Sequence, residues 1–289
     1  MSVQKFYSDD GESLSRLVVS TRLGSSAEVY LYGATVTSWK CGGKERLFVS
    51  KQAKLDGSKP VRGGIPLVFP QFGPGDLPQH GFARTRVWTL LSAEEHGESV
   101  VVNLQLKDNE DTRASKWPYK FDLLYTIDLT ETTLSTIIKY ENVDSQPFSF
   151  TSLMHTYLRV PDIASTTVAG LKDVAYVDKI KGGTDLVEER DEVTVEANED
   201  RVYVNVPGVV TVRYGDESIA IRRFNFKDIV LWNPWAEKAA EMADFGNDEF
   251  PQMICVEAGT VASEISLRPG QTISCGQILT CESLASSNL

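Results

Sequence analysis

An all-β fold, arranged as a large antiparallel β-sandwich, is what this sequence predicts, and three observations predict it. Apolar and polar residues alternate with period two along many short segments. Those segments are rich in β-branched and aromatic residues and end at Gly, Asp, Asn or Pro. Helical periodicity is scarce, which argues against a fold of alternating strands and helices.

In chain order, residues 17–21, 28–32 and 35–39 are the first predicted strands. The clearest is 99–107, where Val100, Val102, Leu104 and Leu106 share one face and Asn103, Gln105 and Lys107 the other. Segments 121–129, 134–140 and 148–160 follow, then 202–206, 209–213, 218–224, 229–233 and 273–279. One short helix is expected at 236–243, opened by Asn233-Pro234. Turns such as 142–146 and Gly215-Asp216 fall between strands and mark no linker. With no repeat or low-complexity stretch, residues 1–289 read as one domain.

Composition narrows the function. The 289 residues carry 29 Lys plus Arg against 40 Asp plus Glu, a formal charge of −11. That balance argues against general nucleic-acid or anionic-membrane binding, which need a positive field. It permits an anionic small molecule, because screening limits the reach of distant charge. Hydrophobic residues at 42% and charged residues at 24% describe an ordinary globule. The polar start MSVQKFYSDDGES lacks the features of a secretory signal, and no run approaches the ~18 apolar residues of a membrane span. Four cysteines without a C-x-x-C pair are expected to be free thiols in a reducing compartment. Cytosol is the expected location. A peroxisome-type organelle is the alternative, because Ser287-Asn288-Leu289 is similar to an S-K-L address without its lysine.

Two stretches break the strand rhythm. Residues 62–78 hold four Gly and four Pro mixed with Ile65, Leu67, Val68, Phe69 and Phe72. Such a segment is expected to be packed, with glycines where the backbone turns or approaches something closely. The acidic stretch 244–251 reads as a solvated connection.

Few residues could carry chemistry. His96 lies in a polar turn and reads as solvated. His80 follows the Gly/Pro segment and His155 lies in an apolar strand; each is either a satisfied structural histidine or a proton carrier near neutrality. Glu257 ends an apolar run, so it is either a strand end in solvent or a carboxylate tuned by burial. Asp200 is equally open between a solvated turn and a ligand. Arg62 and Arg84 flank the Gly/Pro segment and suit a phosphate, or are ordinary surface arginines; spacing does not separate Arg84 from Arg86. Trp232 and Trp235 form either a sugar-stacking wall or part of the core.

Taken together, these residues resemble a known family. Arg62-Gly-Gly-Ile-Pro66, Phe69-Pro-Gln-Phe-Gly73, Leu77-Pro-Gln-His-Gly-Phe-Ala-Arg84, His155-Thr-Tyr157, Asp200-Arg-Val-Tyr203, Leu231-Trp-Asn-Pro-Trp235 and Cys255-Val-Glu257 occur in the order seen in the aldose 1-epimerase (galactose mutarotase-like) superfamily. The chain is most similar to its glucose-6-phosphate 1-epimerase, or hexose-6-phosphate mutarotase, branch. That resemblance implies a β-supersandwich enzyme that interconverts hexose 6-phosphate anomers with no metal or organic cofactor. It implies that His155 and Glu257 transfer protons and that Arg62, Gln79, Arg84 and Asp200 bind substrate. Arg62 and Arg84 would hold the phosphate, Asp200 a sugar hydroxyl, and His80 would line the site. The match is loosest over 179–200.

Elementary chemistry agrees. Opening a pyranose needs a base at the O1 proton and an acid at ring oxygen O5, and reclosure swaps the roles. Glu257 is the natural base and protonated His155 the natural acid. The pattern requires no partner chain, so a monomer is expected. The rivals are a mutarotase of free aldohexoses, a non-catalytic carbohydrate-binding protein and a glycoside hydrolase, which normally needs two carboxylates.

Overall fold

Three antiparallel sheets account for the strands of the computed structural model, which describes residues 1–9 and 11–283. The Ser287-Asn288-Leu289 tripeptide lies outside the described residues. Ser2–Tyr7, Leu14–Ser20, Ser26–Tyr30, Val36–Cys41 and Lys44–Glu45 form a five-stranded sheet in chain order. A nine-stranded sheet runs Glu192–Val193, Thr166–Ala169, Val210–Tyr214, Glu217–Phe224, Thr272–Ser283, Thr133–Asn142, Phe121–Leu129, Ser99–Lys107, Thr89–His96. An eight-stranded sheet runs Gly183–Val187, Ala175–Asp178, Glu199–Tyr203, Asp228–Asn233, Met253–Leu267, Phe148–Met154, Leu67–Val68, with Tyr157–Arg159 also paired to Met253–Leu267. The site is built on this last sheet.

Alternation places the core. In Phe121–Leu129 every odd-numbered residue is buried, and in Thr133–Asn142 every even-numbered one. Their inward side chains join Phe69 from the Gly/Pro segment, which lies 5.4 Å from Phe121, 5.7 Å from Tyr140 and 5.2 Å from Phe150 between ring centroids. Each buried aromatic contributes on the order of 2–3 kcal/mol of apolar transfer. The first half of segment 62–78 is therefore packed, as expected, with Ile65, Leu67, Val68 and Phe69 all fully buried, whereas Pro74, Gly75, Asp76 and Pro78 are exposed.

Several elements differ from expectation. The predicted strand 148–160 is interrupted at His155 and Thr156. The strand near 202–206 begins earlier, at Glu199, and takes in Asp200. Met253–Leu267 is long and central, and its first eight residues are buried on both faces, so it shows no alternation there. The helix spans Trp235–Glu241. The stretch 244–251 is not simply solvated. Phe245 and Glu249 are buried, and Glu249 accepts from Ser50 Oγ at 2.5 Å and from the Lys51 and Gly246 amides. Among the described residues no helix is long and apolar enough to cross a membrane, and the four cysteines are unbridged.

Candidate active site

The interrupted strand creates the site. At the break the His155 amide donates to the Pro66 carbonyl at 2.9 Å and the Tyr157 amide to the Gly64 carbonyl at 2.9 Å. This pairing brings the Gly/Pro segment against the sheet. Gly64 has φ +67°, and a Cβ there would lie 2.2 Å from the Val36 carbonyl oxygen, so only glycine allows the approach. From the opposite sheet, Gln277 Nε2 donates to Thr156 Oγ1 at 2.7 Å, fixing the break from behind.

Strand register aligns the remaining groups. Asp200 pairs with Trp232, Trp232 with Cys255, and Cys255 with Tyr157, so one row of side chains crosses the sheet on a single face. Glu257, two residues beyond Cys255, shares that face. A cleft of about 560 Å³ opens over the row, and Arg62, Gln79, His80, His155, Asp200 and Glu257 all line it. Six of the seven candidate residues thus line one hollow. The seventh, Arg84, sits beside it and donates from Nη2 to the Gln79 carbonyl at 2.7 Å.

At the floor, His155 Nδ1 lies 3.4 Å from Glu257 Oε2, and neither atom has a hydrogen-bond partner. The imidazole stacks on Tyr157 with 4.7 Å between centroids and an interplanar angle of 10°, and meets Trp232 edge-on at 6.0 Å. These contacts fix the ring. Glu257 is 1% exposed, which rules out the solvated strand end. Burial pushes its carboxyl well above the usual carboxylate range, with Asp200 adding to the rise and Lys179 opposing it. Burial holds the His155 imidazolium well below its ordinary range, helped by His80, Arg84 and Arg62. Burial thus disfavours a charge on either group.

His80 is a poor proton carrier. Its Nδ1 accepts from the Gly73 amide at 3.1 Å, and burial, then Arg84, Lys179 and Arg62, push it down to about 3. The neutral ring keeps its proton on Nε2, 3.4 Å from the Gln79 side-chain amide.

The two arginines differ in how far they are already engaged. Arg62 donates to both Asp244 oxygens at 3.2 Å and to Tyr157 Oη at 3.3 Å. Among the described residues Arg84 has no carboxylate partner, and its Nε is buried without an acceptor; burial lowers it to about 10, so it remains a cation at neutral pH. Arg86 points elsewhere and pairs with Asp111 at 2.8 Å. Of the tryptophans, Trp232 lines the cleft, whereas Trp235 packs on Phe250 at 5.1 Å. His96 is exposed on the other large sheet, as expected of a solvated residue.

Sequence reasoning missed Asp244, hidden in a stretch read as solvated, and Lys179, which no pattern marked. Lys179 Nζ lies 3.8 Å from Asp200 Oδ1 and 4.2 Å from the Phe72 ring centroid, on the cleft wall.

Comparison with known proteins agrees with this architecture. The sequence profile of the aldose 1-epimerase family matches residues 15–280. A Cenchrus ciliaris protein named "Putative glucose-6-phosphate 1-epimerase" is 35% identical over 271 residues, 89% of this chain and 82% of the relative. An Escherichia coli protein of the same name is 32% identical over 83% of this chain and 82% of its own length. The crystal structure of a "putative mutarotase" from Salmonella typhimurium superposes with a TM-score of 0.84 at 28% identity, covering 93% of this chain and 90% of that one. Fold and matches together define the class, a mutarotase that exchanges the anomers of a sugar. The chain belongs to the aldose 1-epimerase family.

Proposed function

We propose that the chain is a hexose-6-phosphate mutarotase acting on glucose 6-phosphate, working as a single-domain monomer in the cytosol. Glu257 and His155 carry one proton between them. With Glu257 ionised and His155 protonated, the carboxylate takes the O1 proton while the imidazolium protonates O5, and the ring opens to the aldehyde. The pair is then a carboxylic acid and a neutral imidazole. After rotation about C1–C2, the same two transfers run backwards and close the other anomer. General acid–base help is worth roughly 10²–10⁴-fold, and holding the sugar in place adds to it.

The observation that carries the substrate assignment is the division of charge along the cleft. Arg62 lines it and Arg84 lies beside it on the Gln79 carbonyl, whereas Lys179 Nζ faces Asp200 at 3.8 Å. In a pyranose, C6 is attached to C5 next to O5, so a 6-phosphate held by the arginines brings O5 to His155 and turns O1 toward Glu257. A phosphate there also offsets the two cations that depress His155, which favours the imidazolium that ring opening needs. Gln79 and Asp200 are the hydroxyl ligands, and His80 shapes the wall. Saturation transfer between the anomeric protons of glucose 6-phosphate, with and without protein, tests the activity. Faster exchange for the phosphate than for glucose is expected, and equal rates would point to free aldohexoses.

A further inference from the structure

We infer that His155, Cys255 and Glu257 also form a binding site for a soft divalent cation of the zinc class, and that occupancy blocks the cleft. The three donor atoms lie within 4.8 Å of one another, and all three residues are buried. His155 Nδ1 and Glu257 Oε2 are both unpartnered and face each other at 3.4 Å. A tetrahedral ion with nitrogen and oxygen ligands at about 2.0–2.1 Å spans an N···O edge of about 3.4 Å. The orphaned pair is thus already at ligand spacing. Cys255 stands on the same strand face two residues before Glu257, and its sulfur needs to close by roughly 1.2 Å at most.

The donor set names the class of ion. One nitrogen, one sulfur and one oxygen suit zinc-like ions and are too few in oxygen for Ca²⁺ or Mg²⁺. His155 and Glu257 line the cleft, which gives an entry path and leaves a fourth position open. Surrounding charge does not forbid a cation. Arg62 is held by Asp244 at 3.2 Å and Lys179 faces Asp200 at 3.8 Å, leaving Arg84 as the neighbour without a carboxylate among the described residues. Binding M²⁺ releases the Cys255 thiol proton and the proton shared by Glu257 and His155, so the site's net charge is unchanged. No redox change is involved.

Metal-free protein titrated with Zn²⁺ by calorimetry, and with Co²⁺ by absorption, tests the site without any reference to turnover. We expect one equivalent bound, a thiolate-to-Co²⁺ charge-transfer band in the near ultraviolet, and intense visible bands of tetrahedral Co²⁺. Cys255→Ala should abolish the charge-transfer band, weaken Zn²⁺ at least about tenfold, and leave metal-free anomer exchange within twofold of the parent while making it resistant to Zn²⁺. Failure to bind, Co²⁺ bound with no thiolate band, or a band that survives Cys255→Ala would each overturn the assignment. The parent protein's Co²⁺ spectrum decides even if the variant misfolds. Absence of metal binding would leave the mutarotase reading standing, and metal binding by a protein inactive on sugars would leave the metal site standing.

Discussion

Gln277 and Thr156 join the two large sheets through a 2.7 Å hydrogen bond between fully buried side chains, directly behind His155. The bond crosses the sandwich at the place where the strand carrying His155 is interrupted. A break in a central sheet frees backbone groups that would otherwise pair; here the Pro66 and Gly64 carbonyls accept from the His155 and Tyr157 amides, while Gln277 holds the Thr156 side chain. Replacing Gln277 by Leu would leave the Thr156 hydroxyl without its donor. A loss of about 1–3 kcal/mol in urea unfolding is expected, together with a fall in kcat that exceeds any change in KM. A selective rise in KM would show that Gln277 does not hold the ring in place.

Glu257→Gln and His155→Asn should each reduce anomer exchange by roughly 10²–10⁴-fold, since each removes one proton-transfer group. Saturation-transfer rates measure this. A double variant with near-parent exchange would place the chemistry elsewhere.

Stability should also report the two buried groups. Glu257 is raised in the folded protein, so the stability it contributes is full below the unfolded value near 4.5 and is lost as pH rises through the folded value. Glu257→Gln should therefore gain on the parent as pH increases. His80 runs the other way. Its folded value of about 3 lies below the ordinary 6.5, so stability is present above 6.5 and falls between there and 3. His80→Gln should flatten that acid-side loss in melting temperature.

Arg84→Ala should cost hexose 6-phosphate about 10–100-fold in kcat/KM while changing free hexose little, because a charge-assisted contact is worth roughly 1.5–3 kcal/mol. Arg62→Ala removes a guanidinium already shared with Asp244, so folding stability should suffer in addition to catalysis. Competition by inorganic phosphate against each variant separates the two effects.

Lys179→Met should move the basic limb of the kcat profile to higher pH, since Lys179 is the cation that opposes the rise at Glu257 and the one-proton pair then persists further. Lys179→Arg should restore most of the parental limb. A Met variant with an unchanged profile would confine Lys179 to the cleft wall.

Much of the fold was written in alternation. Ser99–Lys107 and Phe121–Leu129 have the bounds that their period-two pattern predicts, because one face of each is core and the other is not. Met253–Leu267 escaped because burial on both faces erases the pattern, and Ser2–Tyr7 because it is largely exposed. At the site, the resemblance picked out residues that line a common cleft, yet local sequence left Glu257 and Asp200 undecided. Their environment is set by strand register between segments far apart in the chain: Asp200 meets Trp232, and Glu257 meets Val230. Asp244 was invisible for the same reason, since its carboxylate is committed to Arg62, 182 residues away. Lys179 carries no local signature at all.

The interrupted strand and its neighbour have a consequence for how such a protein can change. His155 sits at the break between Phe148–Met154 and Tyr157–Arg159, both of which pair with the strand that carries Glu257, so the gap between the two side chains is fixed by the lattice of the sheet. Gln79 and Lys179 project from surrounding turns and Arg84 from the short 3-10 helix Ala83–Thr85. Drift in those turns can retune which sugar is admitted while leaving the chemical machinery where it is, so descendants would be expected to diverge in diet before they diverge in reaction.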